Sequence, residues 1–340
     1  MAQGKEQFND VRRDENGIRI VFYNVENLFD TIDDPTKNDN EFLPNSKKKW
    51  NSSKYWQKQK SIAKVLIAVG GWEAPDIIGL AEIENRQVLV NLTRSTALKN
   101  FHYEIIHKES PDIRGIDVAL IYRPEKFKVI KYITFPVIYL GKQKSVTRDI
   151  LYVKGLVKNR DTIHIFVNHW PSRMGGQQKS EPHRKCAASV LRSKVDSILH
   201  VNKFSNLIIM GDFNDEPDDI SISEILKSKK ENEKLSESDL VNLMSTIKEQ
   251  NKGSLLFKDK TGVNWYAFDQ IIVSKLLLNQ KNKIHVSKDK AHVFSTDFLF
   301  KEKEDGSKTL RRTYIGQHYT AGFSDHLPVY VDFIVIPDKK

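Results

Sequence analysis

Apolar residues in this chain fall mostly into short runs of strand type that break off on a polar side chain. "IRIVFYN" ends at Asn24, "DIIGLAE" at Glu82, "IHIFVNH" at His169, and "NLIIMGDFN" at Asp212 and Asn214. In two further runs the polar group comes first: Asp269 precedes "QIIVS", and Asp325-His326 precede "LPVYVDFIV". "VALIYR" and "LYVKGLV" read as additional strands with less at their tips. A helical period appears twice. Ile62, Val65, Leu66 and Val69 line one face of "YWQKQKSIAKVLIAVGG", which Gly70-Gly71 terminates. Ala187, Val190, Leu191, Val195 and Ile198 form a stripe in "RKCAASVLRSKVDSILHV". Segments 218–262 and 275–320 are polar, Lys-rich and weakly periodic, and are expected to be insertions, the first partly helical. No internal repeat is visible.

Many strands with helices but no regular βαβ alternation predict an α/β (α+β) fold of two mixed, mainly antiparallel sheets. The sheets are expected to pack face to face with helices outside, a four-layer α/β/β/α sandwich. One catalytic domain over 18–337 would follow an N-terminal extension, 1–17. In such a sandwich the strand tips gather along one edge. There Asn24, Glu82, His169, Asp212, Asn214, Asp269, Asp325 and His326 would meet.

Composition narrows the chemistry by exclusion. The 340 residues are 39% hydrophobic and 29% charged, ordinary for a globular protein. No stretch approaches the roughly 20 apolar residues of a membrane span. The single Cys186 excludes an internal disulfide framework and a Cys-based zinc site. A net charge of +10 favours polyanionic partners, nucleic acid above all, although much of the excess sits in lysine-rich surface stretches such as "NSKKKW". The start, "MAQGKEQFND", has no apolar signal region; a Met ahead of Ala-Gln also fits a mature secreted or periplasmic chain with its leader absent. No stable protein partner is implied, and a monomer is expected.

Glu82 stands where a strand core would normally continue, so it needs a partner such as a cation. One or two carboxylates with water and substrate phosphate suit Mg²⁺, with Mn²⁺ or Ca²⁺ as alternatives. A histidine near such a metal, oriented by an acid, can activate water or protonate a leaving oxygen. The H-E-x-x-H, G-x-S-x-G and Walker-type patterns are all absent. Metal-assisted attack of water on a phosphate ester remains.

In order along the chain, "FYNVENLFD", "GLAEIEN", "VNHWPSR", "MGDFNDEP", "FDQIIVS" and "FSDHLPV" resemble the successive motifs of the endonuclease/exonuclease/phosphatase superfamily, with deoxyribonuclease I as its type fold. The resemblance spans about residues 18–335. It implies that Asn24, Glu82 and Asp325 belong to the metal site. It also implies that Asp212 positions the nucleophile, that Asn214 holds a phosphate oxygen, and that Asp269 orients a histidine or assists the leaving group. His326 would take the water proton or stabilise the phosphorane charge. His169 matches the deoxyribonuclease and sphingomyelinase branches, with Asp117 near where some members orient that histidine. Glu26 is a candidate to assist the metal through water. Arg173 and Arg184 are candidate phosphate ligands, and Trp170, Trp265, Tyr266, Tyr314 and Tyr319 candidate stacking platforms.

The leading expectation is a metal-dependent phosphodiesterase acting on DNA or RNA. The alternatives are a phosphatase or phosphodiesterase on a small-molecule or lipid-headgroup phosphate, sphingomyelinase-like, and a non-catalytic binding protein on the same fold.

Overall fold

A computed structural model describes residues 17–140, 144–259 and 262–337; the extension assigned to 1–17 lies, except for residue 17, outside them. Counting only the strands of the two main sheets, β1 is Ile18–Leu28, β2 Ile77–Ile83, β3 Glu104–His107 and β4 Asp117–Tyr122. Then follow β5 (Phe127–Phe135), β6 (Ile150–Val157), β7 (Thr162–His169) and β8 (Asn206–Asp212). The last are β9 (Ser228–Lys229), β10 (Leu240–Asn242), β11 (Asp269–Ser274), β12 (Ile284–Val293) and β13 (Val329–Val335). The first sheet has the order β12-β13-β1-β2-β4-β3 and the second β9-β10-β11-β8-β7-β6-β5. Parallel pairs occur at β1/β2, β7/β8 and β9/β10, and the other neighbours are antiparallel.

Side-chain alternation builds the layers. In β8, Ile208 and Met210 face the first sheet's core, whereas Leu207 and Ile209 join Ala187, Leu191 and Val195 beneath the helix α3 (Gln177–Val201). Each fully buried Leu, Ile, Val or Met among them contributes roughly 1.5–3 kcal/mol. The two sheets approach closely at Gly79, where a Cβ would lie 2.7 Å from the Met210 Cε. Helix α1 (Ser52–Gly70) covers the first sheet. Its cap, Asn51, accepts from the Lys54 N–H at 3.1 Å, and Gly71 ends it at φ 70°. Helix α2 (Arg86–Ser95) is capped in the same way by Asn85. Four layers and mixed, mainly antiparallel sheets are the architecture the patterning predicts. No helix among the described residues is long and apolar enough to cross a membrane.

Both presumed insertions carry sheet strands. Segment 218–262 supplies β9 and β10, the edge of the second sheet, as well as the short helix Ser245–Glu249. Segment 275–320 supplies β12, the ten-residue edge of the first. In "IHVSKDKAHV" the pairing register with β13 shifts between Val286 and Ala291, so a bulge over charged residues breaks the alternation a strand normally displays.

Candidate active site

Strand register assembles one half of the site. Asp212 pairs in register with His169 on parallel β7 and with Asp269 on antiparallel β11, so three adjacent strands end with three ionisable groups abreast. Gly211 is required just before, because a Cβ there would sit 2.4 Å from the Asn168 carbonyl oxygen. Beyond Asp212 the chain turns through Asn214 at φ 50°, a left-handed conformation that Asn tolerates better than most residues.

The other half comes from the first sheet. Past Asn24 and Ala81 the pairing of β1 with β2 is interrupted, and Glu26, Asn27 and Glu82 adopt φ of 54°, 55° and 64°. Left-handed backbone at such residues costs about 1–3 kcal/mol each and persists where the surroundings over-determine it. Here the Asn27 N–H donates to Glu82 Oε2 at 2.8 Å. Asn24 ties the two halves together: its Nδ2 donates to Asp212 Oδ2 at 3.0 Å and approaches Glu82 Oε1 at 3.5 Å, while its Oδ1 accepts from the Glu26 N–H. The Ser324 hydroxyl donates to the Asn24 carbonyl at 2.7 Å and accepts from the His326 N–H at 3.0 Å, which pins the Ser-Asp-His turn against β1.

Two buried histidines flank Asp212 in opposite electrostatic settings. His169 Nε2 lies 3.7 Å from Asp212 Oδ2 and 3.9 Å from Glu82 Oε1. Burial, then the nearby Arg148 and Arg114 charges, holds its pKa well below the ordinary value, so it stays neutral. His326 Nδ1 is 2.7 Å from Asp269 Oδ2, and its Nε2 is 3.9 Å from Asp212 Oδ2. Burial alone would lower its pKa, but Asp269, then Asp212 and Asp325, keep it well above the ordinary value. Burial pushes Asp212 up to about 7; His326 opposes that rise and Asp269 adds to it. A carboxyl that titrates near neutrality between a neutral and a cationic imidazole can exchange a proton with water.

The donor set suits a divalent cation. Among the described residues neither Glu82 nor Asp212 forms an ion pair with a lysine or arginine, although both are largely withdrawn from solvent. The His169 Nδ1 and Asp269 Oδ1 atoms are buried without a hydrogen-bond partner. Hard carboxylate and amide oxygens beside neutral imidazole are ligands that Mg²⁺ or Mn²⁺ accept. One ligand atom from each of Asp212, Asp269 and His326 also falls within 4.8 Å of the others, but the Asp269–His326 hydrogen bond already occupies that group.

Other residues singled out by sequence have partners of their own, Arg184, Arg173 and Asp117 away from the row and Glu26, Asp325 and Asn214 beside it. Arg184 is fully buried, with Nε 2.7 Å from Asp215 Oδ1, so it is a structural counter-charge that reaches no phosphate. Arg173 donates to the Asn214 carbonyl at 2.8 Å and pairs with Asp215 and Asp219, clamping the loop after β8. Asp117 does not orient His169: its carboxylate holds His107 Nε2 at 3.1 Å and accepts from the Ser110 N–H at 2.8 Å. Glu26 is buried on Arg312 Nε and the Thr313 N–H. Asp325 accepts from Arg312 Nη2 at 2.8 Å. The Asn214 amide donates to the Trp170 carbonyl at 3.0 Å. Trp170 and Tyr314 are buried and offer no stacking face.

Arg148 escaped sequence reasoning because "SVTRDI" looks like an ordinary strand entry. It is buried, donating to Asp112 and to the carbonyls of His169 and Trp170. Replacing Arg184 by Met leaves the buried Asp215 with one cation fewer, and the expected cost is about 3 kcal/mol of unfolding free energy. Urea denaturation checks it.

A four-layer sandwich whose strand ends gather carboxylates, an amide and two histidines is the framework of a metal-dependent phosphoester hydrolase. The chain belongs to the Endonuclease/Exonuclease/phosphatase family, whose model matches residues 19–334. No curated protein sequence matches it. Its structure is similar to an endonuclease/exonuclease/phosphatase family protein from Bacteroides thetaiotaomicron, at 16% identity and TM-score 0.58 over 94% of this chain and 95% of that one. It is also similar to D. rerio TDP2 complexed with single strand DNA product, at 14% identity and TM-score 0.57 over 94% and 99%. A third is the Bacteroides thetaiotaomicron mannosyl-6-phosphatase Bt3783, at 17% identity and TM-score 0.57 over 93% and 99%.

Proposed function

We propose that this protein is a divalent-metal-dependent phosphodiesterase that hydrolyses nucleic acid by in-line attack of water. The observation that carries the reading is the row His169–Asp212–Asp269–His326, in which Asp212 lies 3.7 Å from a neutral imidazole and 3.9 Å from a cationic one. In this reading Asp212 orients the water and takes its proton as the water oxygen bonds to phosphorus, while the ester P–O bond in line with it breaks and its oxygen leaves as an alcohol, protonated from solvent. His326, held cationic by Asp269, donates towards the charge that builds on the phosphoryl oxygens. Glu82, with Asn24 and Asp325 nearby, would hold the metal, which supplies charge neutralisation at the phosphate. His169, neutral and adjacent to both Glu82 and Asp212, serves as an acceptor or a ligand.

Nucleic acid is favoured over a small ester by the net charge of +10 and by one exposed aromatic side chain on a hairpin that begins at the site. The hairpin formed by Leu255–Asp259 and Gly262–Tyr266 starts at a bridge between Leu255 and His326, and it exposes 56% of Phe257. Among the neighbours, TDP2 was captured with a single-stranded DNA product, which supports a polynucleotide reading, whereas Bt3783 is a mannosyl-6-phosphatase.

A panel of plasmid DNA, single-stranded DNA and RNA, mannose 6-phosphate, inositol phosphates and sphingomyelin, assayed with Mg²⁺, Mn²⁺, Ca²⁺ or chelator, tests the reading. Metal-dependent cleavage of a polynucleotide is expected; turnover of the sugar phosphate or the lipid alone would overturn it. Within that panel, Phe257→Ala should raise KM for a single-stranded oligonucleotide by about tenfold, since base stacking contributes roughly 1–3 kcal/mol. The same variant should leave bis(p-nitrophenyl) phosphate hydrolysis unchanged.

A further inference from the structure

A site that grips a phosphate needs a cation free to reach it, and most basic side chains near this one are already spent. Arg184 and Arg148 are buried on Asp215 and Asp112, and Arg173 is held by Asp215 and Asp219. Lys58 is wholly buried, bonded to the Thr313 hydroxyl and the Phe323 carbonyl. Arg312 differs: its side chain keeps 44% of its exposure. It nevertheless stands fixed at the site, with Nε donating to Glu26 Oε1 at 2.9 Å and Nη2 to Asp325 Oδ2 at 2.8 Å. Those acids belong to the active edge, since Glu26 follows Asn24 by two residues and Asp325 precedes His326.

We propose that Arg312 is the ligand for the reacting phosphoryl group, gripping its non-bridging oxygens through the free end of the guanidinium; the inference rests on the phosphoester-hydrolase reading above. A guanidinium has five N–H donors. Two are used here, and among the described residues Nη1 makes no hydrogen bond, so the Nη1/Nη2 end remains as a bidentate fork matched to a tetrahedral oxyanion. The fork is pre-organised. Glu26 and Asp325 fix the other edge of its plane, so little rotamer freedom is lost when a phosphate binds. The backbone below is equally constrained: Thr313 N–H donates to Glu26 Oε2 at 2.6 Å, and Thr320 N–H to the Thr313 carbonyl at 3.0 Å. At Gly322 a Cβ would lie 2.1 Å from the Arg311 and Arg312 carbonyl oxygens, so only glycine lets the returning chain lie against this segment.

The test compares wild type with Arg312→Lys and Arg312→Ala on bis(p-nitrophenyl) phosphate, which has a single phosphate, at saturating Mg²⁺. Arg312→Lys keeps the charge and loses the fork, so KM and the inhibition constant for inorganic phosphate should each rise by about tenfold. Added methylguanidinium should restore part of the activity of Arg312→Ala. Binding of inorganic phosphate, followed by calorimetry without turnover, should weaken in parallel. If wild type cleaves no phosphodiester, the nuclease reading fails, while this calorimetric comparison still decides the role of Arg312. The proposal is overturned if Arg312→Lys keeps wild-type KM and phosphate affinity and only its melting temperature falls, or if the effect appears with oligonucleotides and not with the single-phosphate ester.

Discussion

Replacing His326 by Ala should lower kcat by about 10²- to 10⁴-fold at neutral pH, the range lost with a positioned general acid or base. The argument is electrostatic as well as positional. His326 is buried, and an isolated buried imidazole would be neutral; Asp269 at 2.7 Å reverses that and holds the ring cationic. Asp269→Asn should therefore reproduce much of the loss while the histidine is still in place, and NMR titration should find the imidazole pKa lower than in wild type. Stability follows with a definite sign. A raised imidazole pKa contributes stability that is fully present below the unfolded value near 6.5 and disappears as pH rises through the higher folded value. The deficit of Asp269→Asn against wild type should accordingly be largest below about pH 6.5 and shrink above it. A deficit that grows with pH, or full activity in His326→Ala, would remove His326 from its role.

The residues legible in the sequence share one property: each follows or heads a short, continuous apolar run of the kind a strand buried on both faces displays. Asn24, Glu82, His169, Asp212 and Asp269 all sit at such ends, and pairing register carries those ends to one edge. What was not legible depends on partners distant in sequence. Nothing in "WPSRMGG" or "EPHRKC" reveals that Arg173 and Arg184 converge on Asp215, forty-two and thirty-one positions away by residue number. Asp117 meets His107 at 3.1 Å because strand β3 lies beside β4, a pairing that nothing local to "RGIDVALIYR" announces. Arg312 is the extreme case, since its Glu26 partner lies 286 residues earlier and its own surroundings, "TLRRTYIGQ", have no periodicity that places them. Strand β12 has no signature in the sequence for a local reason, its bulge: the polar segment 275–320 reads as an insertion, yet its first part closes the edge of a sheet.

Asp212→Asn should sacrifice nearly all activity and yet stabilise the metal-free protein at alkaline pH. Burial and the Asp269 charge raise the Asp212 carboxyl from 3.8 to about 7, although His326 pulls against them. With the folded pKa above the unfolded one, the native state binds the extra proton between these values, and stability falls as pH climbs through that window. Above about 7 the penalty is complete and constant. Asn keeps the shape and removes the ionisation, so the melting temperature of the variant in chelator should exceed that of wild type at pH about 8 and converge with it near pH about 4. Saturating Mg²⁺ should narrow the gap, because a cation next to Asp212 favours the charged carboxylate of wild type and gives the amide less. The same substitution should reduce kcat by at least about 10²-fold, since an amide cannot take the proton of the attacking water. A carboxylate kept at a site where its charge costs stability is the mark of a group retained for chemistry; equal melting temperatures for the two proteins across the whole pH range would mean that Asp212 is not held in the strained state on which its proposed role depends.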